Sequence, residues 1–175
     1  MFSNPKKNIK HLGLKRDMKV ADFGAGSGHY TMLASEIVGD EGRVYAIDIQ
    51  NELLRKIKNL SVSEQRYNID ILNGDIEKIR GAKLGDNTID AVIFTNIFFQ
   101  IEKKHNVITE IKRVLKLKGK TMVIDWADSF KGIGPAAEDI VTESEAEKLF
   151  IENGFEFVER FDAGEHHYGL IFIKV

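Results

Sequence analysis

Apolar positions along this chain follow two alternating periods, and the switches between them mark out the elements. Val20 to Phe23 is a short apolar run that reads as a strand. From His29 to Val38 the period lengthens: Tyr30, Leu33, Ala34, Ile37 and Val38 recur at helical spacing, and Gly39 stops the run. Arg43 to Ile49 is a β-branched second strand, followed by a helix with Leu53, Leu54, Ile57 and Leu60 on one face. Tyr67 to Leu72 reads as a third strand ending at Asn73-Gly74-Asp75. The stretch from Ile76 to Thr88 is weakly patterned, with Gly81 and Gly85, and a short helix is expected there. Ile89 to Phe94 is a fourth strand. The helix after it carries Val107, Ile108, Ile111, Val114 and Leu115, with Gly119 as its stop. Lys112, Arg113 and Lys116 then fall in its last turns, where the helix dipole favours cations.

Lys120 to Asp125 is a fifth strand running into Trp126, followed by a loop, Ala127 to Ile140, that holds Gly132, Gly134 and Pro135. Thr142-Glu-Ser-Glu145 is a capping box, and its helix presents Ala146, Leu149 and Phe150 before stopping at Asn153-Gly154. Phe155 to Phe161 and Tyr168 to Val175 are two further strands, joined by a stretch too short for a parallel crossover, so they pair antiparallel. Ahead of all this, Asn8 to Leu14 reads as a short helix stopped by Gly13 in a basic entry segment. Tandem strand–helix units demand a parallel sheet with right-handed crossovers. No linker or repeat divides the chain, so residues 1–18 are expected as an entry segment and residues 19–175 as one domain.

Composition narrows the function. A chain of 175 residues buries roughly two-thirds of its unfolded surface, enough for a sizeable core. Twenty-five basic and 27 acidic side chains leave a net charge of −2, which gives no bulk attraction to nucleic acid or anionic membrane. The absence of cysteine excludes disulfides, thiolate metal sites and a cysteine nucleophile, and no metal site is expected. No apolar run approaches the ~20 residues that span a bilayer, and the first residues lack the apolar region of a secretory signal. A cytoplasmic location is the expectation.

The chemistry begins at Lys19-Val-Ala-Asp-Phe-Gly-Ala-Gly-Ser-Gly28, where a strand breaks into a glycine-rich turn and then a helix. Such a turn brings bare backbone N–H groups and a helix N-terminus to a nucleotide-like ligand. A dinucleotide fingerprint would need its third glycine at position 29, which is His29. The pattern is instead G-x-G-x-G, with Asp22 two residues ahead of it. This stretch resembles motif I of the class I S-adenosylmethionine-dependent methyltransferases, and the resemblance extends over nearly the whole chain from Lys19. It implies an α/β, Rossmann-like three-layer sandwich, with a seven-stranded, mostly parallel sheet whose last strand is antiparallel and inserted between the fifth and sixth.

The resemblance implies S-adenosylmethionine as cofactor and S-adenosylhomocysteine as product, with methyl transfer by in-line displacement. Asp22 and the turn Gly24-Ala25-Gly26, closed by Gly28, are then expected at the cofactor's amino-acid end. Asp48, at the tip of the second strand, suits the ribose diol, because a carboxylate accepts one hydrogen bond from each hydroxyl. By itself an acid there fits a nicotinamide ribose equally well. Asn73-Gly74-Asp75-Ile76 resembles the family's turn after the third strand: Asp75 for the adenine amino group, the Ile76 N–H for a ring nitrogen, and Ile49 on the adenine face. Such a turn also forms for purely local reasons. Asn96 and Ile97 are expected beneath the methionine moiety, and the N-terminal segment as a lid over the cofactor.

The acceptor is read less directly. Thr95-Asn-Ile-Phe-Phe-Gln100 lacks the two prolines that many amine and amide methyltransferases carry at this point, which disfavours those acceptors. Phe98 and Phe99 are expected to alternate between core and pocket. Where a base is needed, Asp125, His166 and His167 are the candidates, and adjacent histidines on extended chain would point opposite ways. His29 is a further candidate to touch the cofactor, and Trp126 and Tyr168 are candidate pocket walls. The C-terminal stretch resembles small prokaryotic methyltransferases broadly similar to the quinone-biosynthesis and arsenite enzymes, and the missing cysteines exclude the arsenite chemistry. A small-molecule acceptor is the expectation. A non-catalytic cofactor-binding module or one subunit of a heteromeric methyltransferase remains open, and a nicotinamide-dependent dehydrogenase is less compatible.

Overall fold

The computed structural model describes residues 3–130 and 133–175. Gly132 of the loop and the first two residues of the entry segment lie outside the described residues. The elements run α1 (Pro5–Asn8), a 3-10 turn (Ile9–Leu12), β1 (Lys19–Phe23), α2 (His29–Val38), β2 (Arg43–Asp48), α3 (Asn51–Ser63), β3 (Ile69–Asn73) and β4 (Ile89–Thr95). They continue with a 3-10 turn (Phe98–Gln100), α4 (Lys104–Val114), β5 (Leu115–Trp126), a 3-10 turn (Ala137–Asp139), α5 (Glu143–Glu152), β6 (Phe155–Asp162) and β7 (His167–Lys174).

The seven strands form one sheet in the order β3-β2-β1-β4-β5-β7-β6, and β7 alone runs antiparallel, paired with both β5 and β6. Successive strand residues enter opposite cores, as the two-residue period requires. Ala21, Val92 and Val123 pack with α4 and α5, while Val20, Ala91, Ile93, Met122 and Ile124 pack with α2, α3 and the entry segment. Both faces are covered, which is why these strands read as continuous apolar runs rather than alternating ones. The strand order reverses between β1 and β4, the point where open α/β sheets leave a ligand-sized crevice beyond their carboxyl ends.

Three expectations need correction. No helix forms between Ile76 and Thr88; the chain there is a series of turns, with Arg80, Lys83 and Asn87 at positive φ. Helix α4 ends at Val114, not at Gly119, because Leu115 already pairs with Ile89. The register then jumps from Ile89–Leu115 to Ala91–Lys120, so Lys116–Gly119 bulge out of the ladder with Lys118 at φ 64°. Lys116 is therefore beyond the helix, where it pairs with Asp90 at 2.6 Å. The entry helix starts earlier than expected, at Pro5, capped by the Asn4 side chain, and Gly13 closes the following turn in the left-handed region. The Thr142 half of the capping box forms: its side chain accepts from the Glu145 N–H at 3.2 Å.

Candidate active site

Two hollows open where the strand order reverses. The first, a cleft of about 310 Å³, is lined by Gly24, Gly26, Asp48, Ile49, Asn96 and Ile97, with the turn Gly74–Glu77 along one side. Gly24 and Ala25 both donate to the Ile47 carbonyl at 2.9 Å, which stitches the glycine turn to the end of β2. Gly24 sits at φ 75°, and a Cβ there would lie 2.3 Å from Ile97 Cδ1. Glycine is thus required both by the backbone angle and by the approach of the segment after β4.

Asp48 is buried, and its carboxylate accepts from Gly26 N at 3.0 Å and Gln50 N at 2.9 Å. An ionised carboxylate offers about four acceptor positions, so about two remain for a diol. Beside it Ile49 is 65% exposed, an apolar surface that nothing in the fold covers. Asp75 accepts from Glu77 N at 3.1 Å and pairs with Lys78 at 3.0 Å. The Lys78 hydrogen bond holds its carboxyl below the usual carboxylate range, so it stays an acceptor at neutral pH.

Asp22 does not line the cleft; it lies beneath the glycine turn, 2% exposed, and accepts from Thr31 Oγ1 at 2.6 Å. Burial raises its carboxyl to about 6 against the opposing Thr31 hydrogen bond, and the nearby Asp48 charge adds to the rise. Ala25 is buried in the core, and Gly28 serves as the N-cap of α2. The structure thus joins Gly24, Gly26, Asp48, Ile49, Gly74, Asp75, Ile76, Asn96 and Ile97 in one cleft. Gln50, Leu53, Gln100 and Ile101 also line it. Their signal was positional: each lies within a few residues of a strand's carboxyl end.

The second hollow, about 600 Å³, is lined by the entry segment from Ser3 to Lys6, by His29, Tyr30, Met32 and Leu33 of α2, and by Leu60, Glu64, Thr95 and Asn96. Asn96 belongs to both hollows, and it stands at φ 55° immediately after β4. A non-glycine residue held in the left-handed region at such a junction marks a constrained site. His29 Nδ1 lies 3.1 Å from Ser27 Oγ. The entry segment is tied down by buried Asn8, whose amide donates to the Ala163 carbonyl at 2.9 Å.

The expected bases fall elsewhere. Among the described residues that line the two hollows, Asp125, His166 and His167 are absent. Asp125 is 2% exposed and turns into the segment after β4, accepting from Ile97 N at 3.1 Å, Phe98 N at 2.6 Å and Trp126 N at 2.8 Å. Burial raises it to about 6 even though these N–H groups favour its charge. His166 contacts Asp128 and stacks on Phe130, and His167 reaches the Glu165 carbonyl at 2.9 Å and packs on Trp126. Phe98 is fully buried against Phe94 and Phe150, so of the two phenylalanines only Phe99 keeps some exposure. Tyr168 is likewise core rather than pocket wall, and burial pushes its phenol up.

Comparison with known proteins bears on the family and the fold. Residues 14–160 match the family model of a methyltransferase domain. The ubiquinone/menaquinone biosynthesis C-methyltransferase UbiE of Pasteurella multocida is 27% identical over 158 residues, covering 81% of this chain and 57% of that protein. The arsenite methyltransferase of Mus musculus is 30% identical over 113 residues, 61% of this chain and 30% of that protein. The chain thus matches between 30% and 57% of the length of these two curated relatives. The crystal structure of a SAM dependent methyltransferase from Aquifex aeolicus superposes with a TM-score of 0.90 at 29% identity, covering 99% of this chain and 91% of that one. The matched family model spans the glycine turn, the Asp48 and Asp75 strand ends and the Asn96 junction, and the chain belongs to that family, the class I S-adenosylmethionine-dependent methyltransferases.

Proposed function

We propose that the chain transfers a methyl group from S-adenosylmethionine, held in the cleft, to a small apolar acceptor held in the second hollow. The observation that carries this reading is Asn96, the residue that lines both. The cleft fits the cofactor chemically: spare acceptor positions on Asp48 for the ribose, a charged Asp75 for the adenine amino group, exposed Ile49 for its face, and bare glycine backbone for the amino-acid end. S-Adenosylmethionine supplies a methyl group on a sulfonium, a leaving group that needs no acid. What remains for the protein is to align the acceptor and exclude water.

Met32, Leu33 and Leu60 give the hollow an apolar lining, and His29, Lys6 and Glu64 give it a polar rim. That division suits an acceptor with an apolar body and one polar, nucleophilic end, meeting the cleft in line at Asn96. Where the acceptor must lose a proton, His29 is the group positioned to take it, in place of Asp125, His166 and His167. The residues from Ser3 to Lys6 act as a lid on the acceptor side, anchored through Asn8.

The test is calorimetry with S-adenosylhomocysteine and with NAD, followed by incubation with S-adenosylmethionine and a panel of small apolar hydroxyl and ring acceptors. Binding of S-adenosylhomocysteine and acceptor-dependent release of it from S-adenosylmethionine are expected. Tighter binding of NAD would overturn the reading. Binding without turnover on any acceptor would instead favour a non-catalytic module.

A further inference from the structure

The turn that carries Asp75 has no regular secondary structure to hold it, yet it cannot move freely. A Cβ on Gly74 would lie 2.4 Å from the Gly81 carbonyl, and one on Gly81 would lie 1.9 Å from the Asp75 carbonyl. Backbone therefore rests on backbone, and wherever residues 80–82 sit, residues 74–75 must follow. Residues 80–83 are themselves in a costly conformation, with Arg80 at φ 65° and Lys83 at φ 57°. Such angles persist only where surrounding contacts over-determine them.

The group that supplies those contacts is a fully buried carboxylate on the neighbouring helix. Glu110 of α4 is 0% exposed. Its Oε2 accepts from Arg80 N at 2.9 Å and its Oε1 from Ala82 N at 3.1 Å, the two amides that flank Gly81. Arg113 closes the other side of the carboxylate through Nε at 2.8 Å and Nη2 at 2.7 Å. The same guanidinium reaches the Leu84 carbonyl at 2.9 Å and pairs with Asp86. All the acceptor positions of Glu110 are used, so its charge is compensated in place. The near end of the turn is held to the start of the same helix, where Lys103 N donates to Glu77 Oε2 at 2.7 Å and Asn106 to the Glu77 carbonyl at 3.1 Å.

We infer that Glu110 is a positioning residue for the adenine half of the cofactor cleft, acting through Gly81 on the Gly74–Asp75 backbone. Glu110 does not line the cleft. It sets where Asp75 and the Ile76 N–H stand, while the Asp48 carboxylate is held by Gly26 and Gln50; the turn meets Asp48 only through backbone, where Gly74 N donates to the Asp48 carbonyl at 3.1 Å. The inference rests on the proposed placement of adenine at Asp75.

The experiment is a pair of double-mutant cycles on S-adenosylhomocysteine binding, measured by calorimetry on the full chain. Glu110→Gln alone is expected to raise Kd about tenfold or more, the consequence of misplacing one charge-assisted hydrogen bond. In a D75A background the same change is expected to add clearly less than in the parent, about threefold or under, which is the part felt through the Ile76 N–H, and in a D48A background to keep its full effect. A merely structural role, felt as global loosening, would add equally in both backgrounds and would overturn the inference. So would unchanged affinity in E110Q alone. Unchanged affinity in D75A alone would instead overturn the placement of adenine, and the inference with it. If E110Q does not yield folded protein by circular dichroism, E110D is read in the same two cycles. It keeps the charge for Arg113 and is one methylene too short to reach both amides, so the same asymmetry is expected at smaller amplitude.

Discussion

Asp22 and Asp48 end neighbouring strands, and their surroundings divide their work. Asp48 keeps open acceptor positions toward the cleft, so Asp48→Ala is expected to weaken S-adenosylhomocysteine binding by about 1.5–3 kcal/mol, read by calorimetry; unchanged affinity would place the ribose elsewhere. Asp22 is buried and raised to about 6 from an ordinary value of 3.8. Between those two values the folded protein binds more protons than the unfolded chain, so this residue makes stability fall as pH rises from about 4 to about 6. Asp22→Asn removes that dependence while keeping an acceptor for Thr31. The difference in unfolding free energy between the variant and the parent should shift in favour of the variant as pH rises through this window, by an amount on the order of 2–3 kcal/mol. A constant difference across the window would show that Asp22 ionises normally in the fold. Both acids were legible as polar residues that interrupt apolar runs at a strand end. Asp125 looks the same in sequence, and only its three backbone donors reveal that it holds the segment after β4.

At the scale of elements, strands and the longer helices were legible because each buries one stripe or two faces in a period that the side chains record. Thr142 does not line the cleft, and Thr142→Ala is expected to lower stability by about 1 kcal/mol. Denaturant unfolding reads that loss, and S-adenosylhomocysteine affinity should not change; a change in affinity would mean that α5 is coupled to the cleft. The turns from Ile76 to Thr88 were not legible. Their conformation comes from α4, through Glu77, Glu110 and Arg113, and pairings at such separation leave no periodic trace. The end of α4 was misplaced for a related reason: Leu115 continues the helical stripe but is claimed by β4.

For the whole molecule, the described residues form two cores on opposite faces of the sheet, and the cleft lies beyond its carboxyl edge. Phe150 of α5 stacks on Phe172 at 4.6 Å and meets Phe98 and Phe155 edge-on, so one ring joins α5 to the strands and to the segment beside Ile97. Phe150→Ala is expected to cost about 3–5 kcal/mol of stability in denaturant unfolding. It should also weaken S-adenosylhomocysteine binding, since Phe98 is next to Ile97; a stability loss with affinity intact would confine Phe150 to the core. The sequence by itself determined the order and kind of the strands, the antiparallel last strand, the glycine turn and the acids at strand ends, because each is a local pattern of period, turn chemistry or spacing. Tertiary structure alone decided which residues share a hollow: that Asn96 joins two of them, that His29 faces the second while Asp125, His166 and His167 do not, and that Glu110 holds the Arg80 and Ala82 amides behind the Gly74–Asp75 turn. Those facts depend on which way side chains leave packed elements and on contacts between segments distant in the chain, and one-dimensional spacing carries neither.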